Sequence, residues 1–389
     1  MRAIICGDAH IGAVFGLGRP NGKGGNTRID DYEKSLNYVI DHVIETKADM
    51  FIQTGDMFEF RDPEPEHMSI VDRALKRLSN ANIASFVLMG NHDYKRSGDN
   101  FISSISSLGA CEYPNVRMIL SPDVIQVSNK DNEKVSLLLL PYRDRRMYDG
   151  KTAAEQSAGY DAEVQALIKT CEPNIPIIAV GHNFFHEGSY NDYGGSEVMA
   201  KPLAFTGCDV AMMGHIHQFR VLRKSAPVCI YTGSMEKSNF GDANISKYFI
   251  DYNIEKKRAK FCKIPVRDLL DVSYDLTGHD FSQISQALND AIDAYDIEDK
   301  VVRFKVTIDE KVMPAVDRKA IQTRLYDNGA FYVSKVLVEI ITKRTVRDNE
   351  ILKHKDDYSM FKAFAKSQKI EDKYQKLLLA EAKTIMGVV

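Results

Sequence analysis

Five short stretches set residues able to hold a metal directly beside glycine: Gly7-Asp8-Ala9-His10, Gly55-Asp56, Gly90-Asn91-His92-Asp93, Gly181-His182 and Gly214-His215-Ile216-His217. Leaving Asp93 aside, they offer Asp8, Asp56, Asn91, His10, His92, His182, His215 and His217. Carboxylate, amide and imidazole donors suit Mn2+, Fe2+ or Zn2+, and no thiolate set competes, because the six cysteines are scattered without a C-x-x-C spacing. These donors exceed the three or four ligands of a single catalytic zinc, whereas two metals sharing a bridging Asp use them economically. Two ions about 3.5–4 Å apart can bind the attacking and leaving oxygens of an in-line phosphoryl displacement and lower the pKa of water towards about 7. Hydrolysis of a phosphate ester is the chemistry these residues predict. A lone Gly-Asp or Gly-His also makes an ordinary turn, so the signal lies in the set and its order.

Such a set works only if the chain brings it together. Four of the stretches directly follow an expected strand and the fifth lies at its end. Strands are expected at 2–6, 50–53, 84–89, 135–140, 175–180, 210–213, 228–231 and 247–252. Helical spacing of Tyr32, Leu36, Val39, Ile40 and Val43 predicts a helix between the first two, with a second at about 66–79. Alternating strands and helices mark a layered α/β domain, whose strand ends collect ligands on one edge, and a glycine lets the chain turn sharply off each strand.

The texture changes near Pro265. Phe281, Ile284, Leu288 and Ile292 share a helical face, Val302, Phe304, Val306 and Ile308 alternate as a strand, a helix follows Pro314, and Val336, Val338 and Ile340 alternate again. The reading is a large α/β domain over 1–262, a small α+β domain over 263–342 and an amphipathic helical segment over 343–389 with a break near Ser367. That last segment cannot bury its own apolar stripe and needs a partner surface, either the chain's own body, against which a helical pair could pack, or another protein.

Composition excludes other classes. The chain has 389 residues, 44% hydrophobic and 27% charged, which is neither disordered nor fibrous. Its net charge of −3 argues against binding nucleic acid by overall basicity. The charge is unevenly spread: residues 341–389 hold 11 Lys/Arg against 7 Asp/Glu, net +4, which leaves −7 on the rest. No stretch reaches the length of a membrane span or a signal peptide, so a cytoplasmic chain without membrane contact is expected, nucleoid-associated or in a phage-infected cell. The Gly-rich run 12–25 lacks the spacing of a phosphate-binding loop and reads as a flexible loop at the rim of the metal edge. Arg143, Arg145 and Arg146 are candidates for phosphate contact, with a solvated loop around Asp144 as the alternative; His186 and Glu187 are weaker candidates for supporting the site.

The ordered motifs D-x-H, GD, GNHD, GH and GHxH resemble those of the calcineurin-like metallophosphoesterases. Gly55-Asp56-Met57-Phe58, the segment 208–218 and Tyr231-Thr232-Gly233-Ser234-Met235-Glu236 are similar to the nuclease subunit of SbcCD-type double-strand-break repair complexes. The resemblance implies a layered sheet sandwich flanked by helices, a capping domain that binds DNA and a C-terminal segment that docks on an SbcC-type ATPase. It implies two Mn2+ ions, one on Asp8, His10, Asp56 and His217, the other on Asp56, Asn91, His182 and His215. His92 is then the group that faces the scissile phosphate, with Asp93 orienting it. DNA is the implied substrate, attacked as an exonuclease and endonuclease in repair or recombination, and a homodimer is the implied assembly. Some relatives carry His three residues after the bridging Asp, where this chain has Glu59, so Glu59 receives no catalytic role. A small-molecule phosphodiesterase or protein phosphatase of the same superfamily is the alternative, with no obvious need of the cap or the tail.

Overall fold

The computed structural model describes residues 1–22, 24–97, 100–109, 113–186, 196–341, 354, 356–367 and 372–387. Glu187, Ile370 and the start of the tail, 342–353, lie outside the described residues.

Two six-stranded sheets stack face to face. The first runs in the order Arg258–Ile264, Lys247–Asn253, Arg2–Cys6, Met50–Gln53, Ala84–Leu88, Val116–Ile119. The second runs Arg220–Arg223, Val228–Tyr231, Val210–Met213, Ile177–Gly181, Lys134–Leu140, Asp123–Ser128. Four neighbouring strands in each sheet are parallel, with antiparallel strands only at the margins. Parallel strands covered on both faces need apolar side chains on both, and Arg2–Cys6 shows how they sort. Ala3 and Ile5 pack between the sheets with Met50, Ile52, Leu137, Leu139, Ile178 and Met212. Ile4 and Cys6 point the other way, onto Tyr32, Leu36, Val39 and Val43 of the helix Thr27–Glu45 and Val71 and Leu75 of Pro65–Asn80. On the far side, Leu138, Leu140 and Ala211 pack on Tyr160 and Val164 of the helix Ala153–Ile168. The result is helices, sheet, sheet and helix in four layers.

Local chemistry fixes where those helices begin. Asn26 accepts a hydrogen bond from Arg28 N (2.8 Å) at the first helix, and Thr152 and Glu155 form a reciprocal capping box at Ala153–Ile168. The Ala153–Ile168 helix, the paired strands Tyr94–Ser97 and Asn100–Ser103 and the strands 116–119, 123–128, 220–223 and 258–264 were not anticipated from sequence. The strands that carry the glycine-linked motifs match their expected ranges to within about two residues, the usual uncertainty of element ends.

Beyond Ile264 the chain forms a separate three-stranded parallel sheet, Leu269–Asp275, Val301–Asp309 and Tyr332–Ile341, whose apolar face is covered by the helices Ile284–Asp293 and Arg318–Asp327. Its first strand was not anticipated. Two further helices, Asp357–Ser367 and Asp372–Ile385, follow.

Candidate metal centre

Both sheets deliver their parallel strands to one edge, and the five glycine-linked motifs meet there. The first two loops are tied by the backbone: Ala9 N and His10 N both donate to the carbonyl of Asp56, at 2.9 and 3.0 Å. In the second sheet His182 N donates to Leu140 O (3.0 Å) and Gly214 N to Gly181 O (2.9 Å). Two bonds stitch one sheet's loops to the other's, His215 N to Asp8 Oδ1 (3.0 Å) and Met235 N to Asp8 O (2.9 Å). Close approach explains the glycines: a Cβ on Gly7 would lie 1.6 Å from Gly233 O, and one on Gly90 would lie 2.1 Å from both N and Oδ1 of Asp56. Three of the candidate ligands, His10, Asp56 and His215, adopt φ of 45°, 53° and 77°. Left-handed backbone at non-glycine residues costs about 1–3 kcal/mol each and persists where surrounding structure enforces it, typically at functional sites.

The side chains form two groups that meet at Asp56. Asp8, His10 and His217 make one triad, and Asp56, His182 and His215 the other. In the first, Nε2 of His10 and Nε2 of His217 face each other at 2.9 Å, with Asp8 Oδ2 3.7 Å from His217 Nε2. In the second, Nε2 of His182 lies 3.2 Å from Asp56 Oδ2 and 3.0 Å from Asn91 Oδ1, which also meets His215 Nδ1 at 2.8 Å. Asp56 Oδ2 is 3.8 Å from His10 Nε2 as well, so one carboxylate oxygen serves both groups. The ring of His182 is set by its far nitrogen: Nδ1 is 3.0 Å from Thr54 O, a carbonyl can only accept, and so Nδ1 carries a proton.

Burial and crowding pull the titrations apart. Burial opposes charge on His182, yet Asp56 and Asp8 outweigh it and raise its pKa to about 9. His10 is likewise raised, burial being overcome by Glu59, Asp56 and Asp8. Burial and the neighbouring charge of His182 push His215 down to about 3, and burial with His10 and Lys247 does the same to His217. Burial opposes ionisation of Asp56, but His182 and His10 overcome it and hold its carboxyl well below the usual range, whereas burial raises that of Asp8.

His92 sits at the mouth, its side chain 37% exposed, in an open cleft of about 680 Å3 lined also by Glu59, Phe60, Arg61, Asp62, Glu64 and Asn91. Its Nδ1 donates to the carbonyl of Glu59 at 2.8 Å. This corrects the expected role of Asp93. That carboxylate is fully buried and accepts from three backbone N–H groups, Gly90 (2.9 Å), Met57 (3.1 Å) and Phe58 (3.0 Å). Asp93 thus shapes the loop after Asp56, and the Glu59 backbone, not Asp93, sets the His92 ring.

The contact made by Glu59, assigned no role on sequence grounds, and the part played by Lys247 were not read from the sequence. Glu59 places Oε2 2.9 Å from His10 Nδ1. Lys247, fully buried, donates from Nζ to His217 O (3.1 Å) and Ser234 Oγ (2.8 Å), and a lysine heading the apolar run Tyr248-Phe249-Ile250 was the signal available for it. Of the three arginines, Arg146 is engaged by the buried Asp144 (Nε to Oδ1 2.8 Å), while Arg145 and His186 line a 140 Å3 cavity beside Phe184, whose ring meets that of His215 at 4.2 Å. The Gly-rich run is not a free rim: Leu17 packs on Leu269 and Val301, and Gly16 O accepts from Ser334 Oγ at 3.1 Å.

A pair of divalent ions fits this chemistry. Among the described residues Asp8 Oδ2 is buried without a hydrogen-bond partner, and two imidazole Nε2 atoms point at each other across 2.9 Å, an arrangement a cation satisfies better than a shared proton.

Comparison with known proteins agrees with the motif order. The chain is 23% identical over 310 residues to the DNA double-strand break repair protein Mre11 of Methanosarcina mazei, covering 79% of this chain and 46% of that protein. It is 19% identical over 267 residues to a subunit of the nuclease SbcCD of Staphylococcus epidermidis, covering 66% and 67%. The chain therefore spans less than half the length of the Methanosarcina mazei relative, and 42% of that from Methanosarcina acetivorans. Among solved structures, a dimetal phosphatase from Danio rerio aligns over 68% of this chain and 99% of its own at 10% identity, with a TM-score of 0.38. The calcineurin-like phosphoesterase family pattern matches residues 1–219, more than half the chain, and stops two residues past the last candidate ligand, His217. That match embraces every motif on the metal edge, and by it the chain belongs to the calcineurin-like phosphoesterase family.

Proposed function

We propose that this chain is a two-metal, manganese-dependent nuclease that hydrolyses phosphodiester bonds at DNA ends, as exonuclease and endonuclease, in repair or recombination. The observation that carries the reading is the pair of ligand groups sharing Asp56 beneath an open cleft with His92 at its mouth. A wide cleft admits a polymer, where a small-molecule enzyme encloses its ligand. The similarity to Mre11 proteins and to a component of the nuclease SbcCD supports DNA as the substrate and a separate SbcC-type ATPase as partner. The capping unit over 263–342, the docking segment over 343–389 and homodimerisation complete the proposal.

Asp8, His10, Asp56 and His217 would hold one ion, and Asp56, Asn91, His182 and His215 the other. When bound, two divalent ions supply a nucleophile from water at neutral pH and stabilise charge on the transferring phosphoryl group. The chain's own residues do the rest. The Thr54 carbonyl orients His182, and the Asn91 amide oxygen faces both imidazoles of the second group. His92, with its Nδ1 proton donated to Glu59 O, lines the cleft, and as the imidazolium it would carry a second proton on Nε2 to give to the departing sugar oxygen.

The test is a Mn2+ cleavage assay on duplex oligonucleotide and on an aryl phosphodiester, with and without a co-purified ATPase subunit. His92→Asn should lower cleavage by about 10²–10⁴ while both metals still bind. Wild-type rates in that variant would remove His92 from the mechanism, and turnover of the aryl ester without any DNA cleavage would favour the small-molecule reading.

A further inference from the structure

Glu59 is the motif departure that the proposed chemistry leaves unused, and its surroundings give it a task. The loops after the first two strands run side by side: Ile11 N donates to Met57 O (3.0 Å), Glu59 N donates to Ile11 O (3.1 Å), and Ile11 pairs with Phe58 in a parallel bridge. This pairing places the Glu59 side chain next to the ring of His10. The Glu59 side chain is only 10% exposed, with Oε2 2.9 Å from His10 Nδ1 and Oε1 3.6 Å from His92 Nδ1. Glu59 lines the cleft beside His92, but its Oε2 is turned to His10 and away from the general-acid candidate.

We propose that Glu59 is a positioning residue for the metal centre. Its carboxylate accepts the Nδ1 proton of His10, which leaves the lone pair on Nε2, the nitrogen that faces His217 and Asp56. Histidines that bind metal are commonly held this way by a carboxylate on the other ring nitrogen, and losing it costs about 10–100-fold in metal affinity. In the structure the contact is close but off the line of the N–H, so Nδ1 makes no aligned hydrogen bond there. With an ion held on the Nε2 side, a rotation of the ring would bring the Nδ1 proton into line with Oε2, since hydrogen bonds that are loose in an empty site commonly tighten on occupation. His92 does not depend on this carboxylate, because its proton sits on the backbone carbonyl of Glu59, which every substitution retains.

The inference rests on the two-metal reading, and the experiment separates the two. Mn2+ is titrated into wild type, Glu59→Ala and Glu59→Gln by calorimetry and electron paramagnetic resonance, with turnover of an aryl phosphodiester followed against Mn2+ concentration. Wild type should take up two ions. Glu59→Ala should bind one of them about 10–100-fold more weakly, yet approach wild-type kcat when Mn2+ is saturating. Glu59→Gln, whose amide oxygen can still accept from Nδ1, should recover most of the lost affinity, and it also serves if the alanine variant does not fold. Wild-type affinity in Glu59→Ala, or no recovery in Glu59→Gln, overturns the positioning role while two-metal binding stands. Failure of wild type to bind manganese brings down the two-metal reading and this inference with it.

Discussion

At the scale of the residue, protons and metals compete for the same atoms. His182 has its Nδ1 proton fixed on Thr54 O, so the proton that gives it a pKa of about 9 is the one on Nε2, against Asp56 and Asn91. A histidine raised above its unfolded value of about 6.5 stabilises the metal-free fold below that pH, and the contribution is lost as pH rises towards 9. A cation must displace the same proton. Metal binding at pH 7 should therefore release protons, and apparent affinity should climb by up to about 10-fold per pH unit until it levels off near 9. Calorimetry in two buffers of different ionisation enthalpy measures the release directly; pH-independent affinity between 7 and 9 would contradict the assigned protonation. Asp93 poses a second question. Burial and Asp56 push its carboxyl up to about 6, and three backbone N–H groups hold it. In Asp93→Asn an amide NH2 would face one or two of those donors. The expected cost is about 1–3 kcal/mol of stability, read by chemical denaturation, whereas a residue that merely aimed His92 would lower activity and leave stability alone. The convergence of Asp8, His10, Asp56, Asn91, His182, His215 and His217 was legible because each lies in a short stretch that opens on a glycine at a strand exit. The partners of Asp93 and Glu59 were not, since these depend on how two loops run beside each other, which residue type and spacing do not encode.

At the scale of the element, the metal edge depends on how tightly two sheets present their loops. Gly90 leaves no room for a methyl group: a Cβ there would meet both the backbone N and the carboxylate of Asp56 at 2.1 Å, and neither is a flexible side-chain end. Gly90→Ala should push apart the exits of Met50–Gln53 and Ala84–Leu88. The expected result is about 1–3 kcal/mol of lost stability and a larger loss of metal binding, because Asp56 serves both ligand groups. Thermal melts with and without Mn2+ check this: wild type should gain stability with metal, and the variant should gain little. The same sheets explain which elements the sequence revealed. Interior strands such as Val210–Met213 and Ile177–Gly181 are apolar on both faces and stand out as short runs. Marginal strands such as Arg258–Ile264 and Asp123–Ser128 are largely solvated and carry mixed side chains, and they were missed. The helix Ala153–Ile168 was missed for a related reason, because only Tyr160 and Val164 are buried in it and no full apolar stripe marks it.

At the scale of the whole molecule, the three-stranded unit and the C-terminal helices relate differently to the metallophosphoesterase body. Arg267 clamps the first join: its guanidinium bonds Asp31 of the first helix (Nε to Oδ2 3.0 Å) and Asp299 O (3.0 Å), and lies 3.5 Å above the Phe331 ring. Leu17, Leu269 and Val301 close the seam. The helices Asp357–Ser367 and Asp372–Ile385 instead meet each other, with Ala365 and Ala382 buried and Lys383 over Tyr358 at 5.8 Å. They leave Phe364, Tyr374, Leu377, Leu378 and Ile385 exposed, five large apolar side chains on two short helices. Solvated single apolar residues need no explanation, but five on two short helices are more than chance exposure accounts for and support the proposed docking role. The net +4 of residues 341–389 adds a charge by which an acidic partner would be attracted. Residues 343–389 should therefore contribute to partnership and little to the body's own stability. Deleting them should shift the melting temperature of the remainder by less than about 1 °C, a change under about 1 kcal/mol for a chain of this size, and leave Mn2+-dependent turnover of an aryl phosphodiester intact. Co-purification with the proposed SbcC-type ATPase should be lost in the same variant. A fall of several degrees with ATPase capture retained would show that the helical pair is part of the body's packing, and the exposed apolar row would then need a different explanation.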